Sequence, residues 1–420
     1  MIVDVVLGVD VGTSGVRVAA VDDALSVRAM ASAPMAVPVQ DAGRIRQDPR
    51  VWWDATRAAL SRLDLSGVRV RAVAVDGTSG TIVGIDADGV PTGPASMYSD
   101  IASDAATGVV DAVAPRATAA RGRTSPLARA MDLGGPRVLH QADWIAGRFS
   151  GRFDVTDENN ALKSGYDPVT RAWPSWIDDT GFRRARFPTV VPAGTAIATI
   201  HRDAARQLGL PPDVTVVAGT TDGCAAFLAS GAAGPGDGVT SLGTTLTVKL
   251  LSSAPVFAPE HGVYSHRIGD KWLAGGASNA GGAVVARYFS RDDLDRLTPL
   301  LDPDVPTGLD YYPLVAPGER FPVNDPALAP RLDPRPDDER LFLQGLLEGI
   351  AAIEARGYRT LAALGASPLS SIRTTGGGAA NAAWTTIRLR QLGVPGRPSL
   401  SEHAAVGTAR LAWRGIGHAG

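Results

Sequence analysis

The chain has 420 residues, 45% of them hydrophobic and 20% charged, with 41 basic against 43 acidic side chains and a net charge of −2. That length exceeds one ordinary core and predicts two domains, the near-neutral charge gives no basic footprint for nucleic acid, and no apolar run reaches the roughly 18 residues of a spanning helix. A single cysteine, Cys224, excludes an internal disulfide framework, and a start without a basic leader, with Asp4 in the first apolar run, predicts a cytoplasmic protein with no membrane partner.

In chain order, "IVDVVLGVDV" (2–11) is β-branched and apolar, as a buried strand is. Gly12 to Gly15 make a turn, "VRVAAVD" returns as a second strand, and "VRAMASAPMAV" (27–37) adds a third to an antiparallel meander. The spacing becomes helical over "DPRVWWDATRAALSRL" (48–63), with Asp48 as N-cap and Pro49 at the first position. "VRAVAV" (70–75) is again a strand and runs into "DGTSGT" (76–81), followed by a hairpin whose turn is Asp88-Gly89. From 101 to 210 the pattern is irregular, mixing Ala-rich helical stretches with Pro/Gly loops. "VTVVAGTTDG" (214–223) restores the strand and glycine turn, and "CAAFLAS" follows as a helix.

"GAAGPGDG" (231–238) is the best linker. Beyond it, "VTSLGTTLTVKLLSS" (239–253) repeats the opening architecture, and "TTGGGAAN" (374–381) gives a late glycine turn before the helix "AAWTTIRLRQLG". The chain therefore reads as two related α/β units, each opening on a hairpin.

Gly-Thr-Ser-Gly turns bring main-chain N–H groups and hydroxyls close to a ligand, and such a hollow suits phosphate. One such turn is as easily a plain hairpin; their repetition at 12–15, 77–80 and 243–245 argues for a shared task. Other phosphate and nucleophile motifs are absent. None of the lysines, Lys163, Lys249 and Lys271, stands in a Walker loop. Val16 and Thr81 stand where a nucleophile elbow needs glycine, and "HRD" (201–203) has Leu208 where a protein kinase has Asn. No G-x-G-x-x-G follows the first strand, and six histidines without H-E-x-x-H spacing offer no zinc site.

Asp10 ends the first strand beside a phosphate turn. Its carboxylate either holds Mg²⁺ through water against nucleotide phosphates or caps the turn. Asp222, between a strand and a helix, is either a cap or the acceptor of an alcohol proton in phosphoryl transfer. Asn381 either caps its helix or binds a base, and Trp384 either stacks beside a nucleotide or packs in the core.

Together, Asp10 to Ser14 (D-x-G-T-S), Gly219 to Asp222 (G-x-x-D), Ser241 to Thr245 (S-L-G-T-T) and Gly376 to Gly378 resemble the FGGY carbohydrate kinases in order and spacing over nearly the full chain. "DGTSGT" (76–81), "LKSGYDP" (162–168), "GTTDGCAAFLASGA" (219–232), "GVYSHRIGDKWLAGGASNAGG" (262–282), "LDYYPL" (309–314) and "GERFPVNDP" (318–326) are most similar to the short D-ribulose kinases, which are xylulokinase-like. Glycerol kinases carry Arg-Glu and xylulokinases Met-His in the region that Thr78-Ser79 occupies here.

The resemblance implies an α/β protein of two actin-like (ribonuclease H-like) domains with an interdomain cleft. It assigns 1–229 plus 403–420 to sugar and phosphate, and 230–402 to the nucleotide. It makes Asp222 the general base on the sugar hydroxyl and Asp10 the Mg²⁺-positioning residue, both counted as catalytic. Thr13, Ser14, Gly15 and Ser79, with Asp222, would meet the sugar. Gly12, Thr13, Arg17, Gly243, Thr244, Thr245, Gly377, Gly378, Asn381 and Trp384 would meet ATP. The implied reaction is Mg·ATP with D-ribulose giving D-ribulose 5-phosphate, by a monomer or homodimer. D-xylulose or a polyol is the alternative substrate. A nucleotide-dependent sugar-sensing protein with weak ATPase activity is the alternative from another class.

Overall fold

Val3–Val11 (β1), Gly15–Asp22 (β2) and Val27–Pro34 (β3) form an antiparallel meander. β1 is apolar on both faces because both are covered. Val5, Leu7 and Val9 enter one core with Trp52 of the helix Arg50–Ser61 (α1), and Val6 enters another against the C-terminal helix Ala404–Gly415. The structure is a computed structural model and describes residues 2–418; residue 1, and residues 419 and 420 of the expected C-terminal segment, lie outside it.

α1 starts after Pro49 rather than at it. The Asp48 carboxylate accepts the Arg50 N–H at 3.0 Å, so the chain turns into the helix one residue later than the spacing predicts. The crossover through α1 lays Val68–Gly77 (β4) parallel to β1. The region from 101 to 210, unpatterned in sequence, supplies Gln141–Ser150 (α2), Glu158–Leu162 (α3) and Ala196–Thr199 (β5). Thr215–Thr221 (β6) then pairs parallel to β4, and Asp222–Ala229 (α4) follows without a break. The sheet order is β5-β6-β4-β1-β2-β3.

One glycine lets the C-terminal helix sit directly on this sheet, and a second lets it sit directly on α4. A Cβ at Gly8 would lie 1.8 Å from the Ala405 carbonyl oxygen, and one at Gly407 would lie 1.9 Å from that of Ala225 in α4.

The second sheet repeats the plan. Asp237–Leu242 (β7), Leu246–Ser252 (β8), Tyr264–Ile268 (β9) and Lys271–Ser278 (β10) precede the helix Gly282–Tyr288 (α5) and the long helix Glu339–Ala363 (α6). Ser371–Thr375 (β11) and Ala382–Leu392 (α7) follow. β7, β8 and β10 are antiparallel, β11 runs parallel to β7, and the order is β9-β10-β8-β7-β11. Within it, β11-β7-β8-β10 reproduces β4-β1-β2-β3.

A buried Arg388–Glu354 pair, with both contacts at 2.6 Å, lies behind this sheet. Arg388 donates to Thr374 of β11 at 2.7 Å, and Thr240 of β7 donates to Glu354 at 2.6 Å, which ties both strands to α6 and α7.

The chain divides into two compact units. One contains the chain through Ala229, His266–Gly269 and the chain from His403; the other contains Ser230–Ser265 and Asp270–Glu402. Among the described residues no helix is long and apolar enough to cross a membrane.

Candidate active site

In the first unit, parallel pairing sets three acidic positions at one edge. Asp10 ends β1 in register with Asp76 on β4, Asp76 is in register with Thr220 on β6, and Asp222 follows β6 as the first residue of α4. Asp10 is partly exposed and lies 3.9 Å from Arg17 across the β1–β2 ladder. Burial, then the neighbouring Asp222 charge, raises the Asp10 pKa, opposed by Arg17 and by a hydrogen bond from Asp76.

Asp76 is fully buried, and burial followed by the Asp10 charge holds its pKa well above the usual carboxylate range. Asp76 is therefore the protonated member of the pair and donates to Asp10. The Thr408 hydroxyl of the C-terminal helix donates to the other Asp76 oxygen. Sequence reasoning gave Asp76 no role, although the repeated Asp beside each turn was its signal. The Asp222 carboxylate accepts the Gly223 N–H at 2.6 Å and stays partly exposed.

The turn between β1 and β2 leaves Thr13 partly exposed and Ser14 exposed, and neither hydroxyl has a hydrogen-bond partner among the described residues. Gly12 donates its N–H to the Gly15 carbonyl at 3.0 Å and so has none to spare for phosphate. Gly15 is required by packing, because a Cβ there would lie 2.9 Å from the Ala33 carbonyl.

The turn after β4 is built differently. The Gln141 side-chain oxygen accepts the Thr78 N–H at 2.9 Å and the Thr78 hydroxyl at 2.8 Å, while Thr81 bonds to Thr78 at 2.6 Å. Ser79 alone in 77–81 escapes full burial. His140, next to Gln141, bonds Asp143 at 3.0 Å and the Ser164 hydroxyl at 3.1 Å. The resemblance to a nucleophile triad is geometric only, since Ser164 is fully buried; this is a satisfied core histidine.

The remaining expected site residues lie in the second unit. Gly243, Thr244, Gly377, Gly378, Asn381 and Trp384 line a cavity of about 800 Å³, with Arg287 also in its wall; Thr245 is exposed but lies outside that lining. The Asn381 side chain is largely committed to structure, since its oxygen caps α7 on the Trp384 N–H at 2.9 Å and its nitrogen donates to Thr298 at 3.2 Å. Trp384 is 4% exposed and belongs to the core, yet its ring also forms cavity wall. Its indole N–H has no partner among the described residues.

Residues 5–113 match the N-terminal domain, and residues 238–416 the C-terminal domain, of the FGGY family of carbohydrate kinases. The chain belongs to the FGGY carbohydrate kinases. It is 30% identical to a xylulose kinase of Streptomyces coelicolor, with 97% of this chain and 87% of that one covered. It is 23% identical to a xylulose kinase of Staphylococcus epidermidis, with 99% and 89% covered. The fold of this carbohydrate kinase superposes on a xyloylose kinase from Brucella ovis with a TM-score of 0.86, at 22% identity and over 99% and 91% of the two chains. The two-domain, actin-like α/β architecture expected from the sequence is the one present.

Proposed function

We propose that this kinase transfers the γ-phosphate of ATP to a ketopentose, D-ribulose, giving ADP and D-ribulose 5-phosphate. The observation that carries the reading is the pair Asp10 and Asp222, two partly exposed carboxylates at the ends of β1 and β6, the strands that flank β4, with a hydroxyl-lined turn beside Asp10. Phosphoryl transfer to an alcohol needs an acceptor for the hydroxyl proton, and Asp222 is that acceptor. Thr13, Ser14 and Gly15 line the path of the transferred group, with Arg17 opposite Asp10. Ser79 binds sugar hydroxyls, and the cavity of Gly377, Gly378 and Trp384 takes the adenosine.

Among the described residues no group of three or more His, Cys, Asp or Glu side chains is placed to hold a metal by itself. That fits Mg²⁺ held by the Asp10 carboxylate through water, with nucleotide phosphates completing its shell. Bound there, Mg²⁺ supplies charge neutralisation at the phosphates. The Asp10–Arg17 contact is long, at 3.9 Å, and Asp10 is partly exposed, so its carboxylate is open to that water even with Asp76 donating to it.

Thr78-Ser79 supports D-ribulose, and the names of the curated relatives support D-xylulose as the second reading. A coupled ADP-release assay with Mg·ATP over D-ribulose, L-ribulose, D-xylulose, ribitol and glycerol decides between them. The expected result is a D-ribulose-selective signal that falls about 10²- to 10⁴-fold in Asp222→Asn, with ADP affinity unchanged. Selectivity for D-xylulose would move the substrate but keep the base. Equal ADP release with every sugar and with none would replace the kinase by a nucleotide-dependent binding protein.

A further inference from the structure

We infer that Arg129 is a positioning residue for the sugar, because its buried guanidinium grips the carbonyl of Gly80 and thereby sets the orientation of Ser79. The inference rests on the reading of Ser79 as a sugar contact.

Arg129 is 1% exposed. Its Nη2 donates to Gly80 O at 2.5 Å, and its Nη1 donates to Ser96 O, Ser96 Oγ and Met97 O at 3.0, 2.9 and 2.8 Å. Its Nε reaches Thr124 O at 3.2 Å. Every acceptor is neutral. The nearest balancing charge acts through Ser96, whose hydroxyl donates to the fully buried Asp100 at 2.6 Å. Asp100 is itself held by Arg44 at 3.2 Å and Arg46 at 2.9 Å.

Burial pushes the Arg129 pKa down to about 10, which leaves the group charged at neutral pH. A buried cation without a direct carboxylate partner is an expensive way to fill space, and an apolar side chain would fill it at lower cost. What the guanidinium adds is a planar fork that fixes several carbonyls at once.

The fixed carbonyl lies where the turn takes a positive φ. Gly80 has φ +93°, which glycine adopts freely and a side chain would disfavour, so the turn's backbone is set by its hydrogen bonds rather than by steric limits of its own. Gln141 clamps Thr78 on one side, Arg129 clamps Gly80 on the other, and Ser79 between them is left half-buried. A hydroxyl held from both flanks is pre-organised for a ligand.

The test uses Arg129→Lys and Arg129→Met beside Ser79→Ala in the full-length enzyme, with KM for D-ribulose, KM for ATP, kcat and Tm measured for each. Loss of the charge-assisted bond is expected to raise the sugar KM about 10- to 100-fold, with the ATP KM and kcat at saturating sugar within about threefold. In Arg129→Lys/Ser79→Ala the sugar KM should match that of Ser79→Ala alone, since the arginine acts through the serine. A sugar KM unmoved by Ser79→Ala overturns the Ser79 reading and the inference with it. A response to Ser79→Ala but not to Arg129→Lys overturns the inference alone. Equal losses in both KM values, or additive effects in the double variant, make Arg129 a framework residue and overturn it too. Where Arg129→Met does not fold, Arg129→Lys carries the comparison.

Discussion

Asp157 shows how a single buried carboxyl couples this fold to pH. Its Oδ1 accepts the N–H groups of Asn159 and Asn160 at 2.8 and 3.1 Å, and Asn160 Nδ2 donates to Oδ2 at 2.5 Å. Burial, followed by the Asp143 charge, outweighs these bonds and pushes the pKa up to about 8. The unfolded chain releases this proton in the ordinary carboxylate range, whereas the folded chain keeps it to about pH 8. Between those values the folded state holds the extra proton, so stability falls as pH rises. Asp157→Asn keeps the cap and cannot ionise. The variant is expected to lose a slope on the order of 4 kcal/mol between pH 4 and pH 7, read from urea midpoints of both proteins across that range. Parallel curves would place Asp157 back among ordinary carboxylates. The same sign holds for Asp76. Asp10 and Asp222 were legible in sequence because each ends an apolar run at a glycine turn. The burial of Asp76 was not, because it depends on which strand pairs with β1 and on a threonine 332 residues away. Arg129 and Gln141 were illegible for the same reason, since their partners lie 49 and 63 residues away along the chain.

At the scale of elements, close backbone approach explains where the C-terminal helix goes. Gly8 on β1 and Gly407 on the helix each meet main chain that a methyl group could not displace, at 1.8 and 1.9 Å from carbonyl oxygens. Gly8→Ala is therefore expected to cost about 3 kcal/mol or more. It should also expose the helix to proteolysis, with a clip near His403 as its product. A Tm within a degree of the parent and an uncut C-terminus would mean that the sheet and helix part without strain. Period-2 and continuous apolar runs made β1 to β4, β6, β7 and β8 readable, including the hairpins at 12–15 and 243–245, whereas β5 fell in the unpatterned region and β11 was read only as the approach to a glycine turn. In the small sheet, Ile82–Ile85 was readable as one arm of the hairpin at Asp88-Gly89, which an antiparallel bridge from Ile85 to Pro91 closes; its pairing with Arg137–His140 was not, because the strands of that sheet are two to four residues long and pair with segments far apart in sequence. α3 has only five residues, and it is held in place by Asn159, which donates to Thr220 of β6 at 3.0 Å, rather than by any periodicity of its own.

For the whole molecule, the strand order β4-β1-β2-β3 in one unit and β11-β7-β8-β10 in the other explains why the same turn is spelled more than once. Each copy places a hairpin turn beside the end of a parallel strand. In the first unit that neighbour brings Asp76, and in the second it brings the Gly376–Gly378 turn. The residues that line the cavity proposed for adenosine all belong to the second unit, while Ser79, Asp10 and Asp222 belong to the first. Binding of the two substrates should therefore be separable by mutation. A Cβ at Gly378 would lie 2.7 Å from both Leu242 Cβ and Trp384 Cζ3, so a branched side chain there must push into the cavity or lift the turn off the indole. Gly378→Val is expected to weaken ADP binding about tenfold or more, a loss of at least roughly 1.4 kcal/mol, while sugar binding by calorimetry stays unchanged. Ser79→Ala should give the reverse pattern. If ADP binds Gly378→Val as it binds the parent, the adenosine lies outside this cavity. If both ligands weaken together in either variant, the units do not act as separate binding bodies.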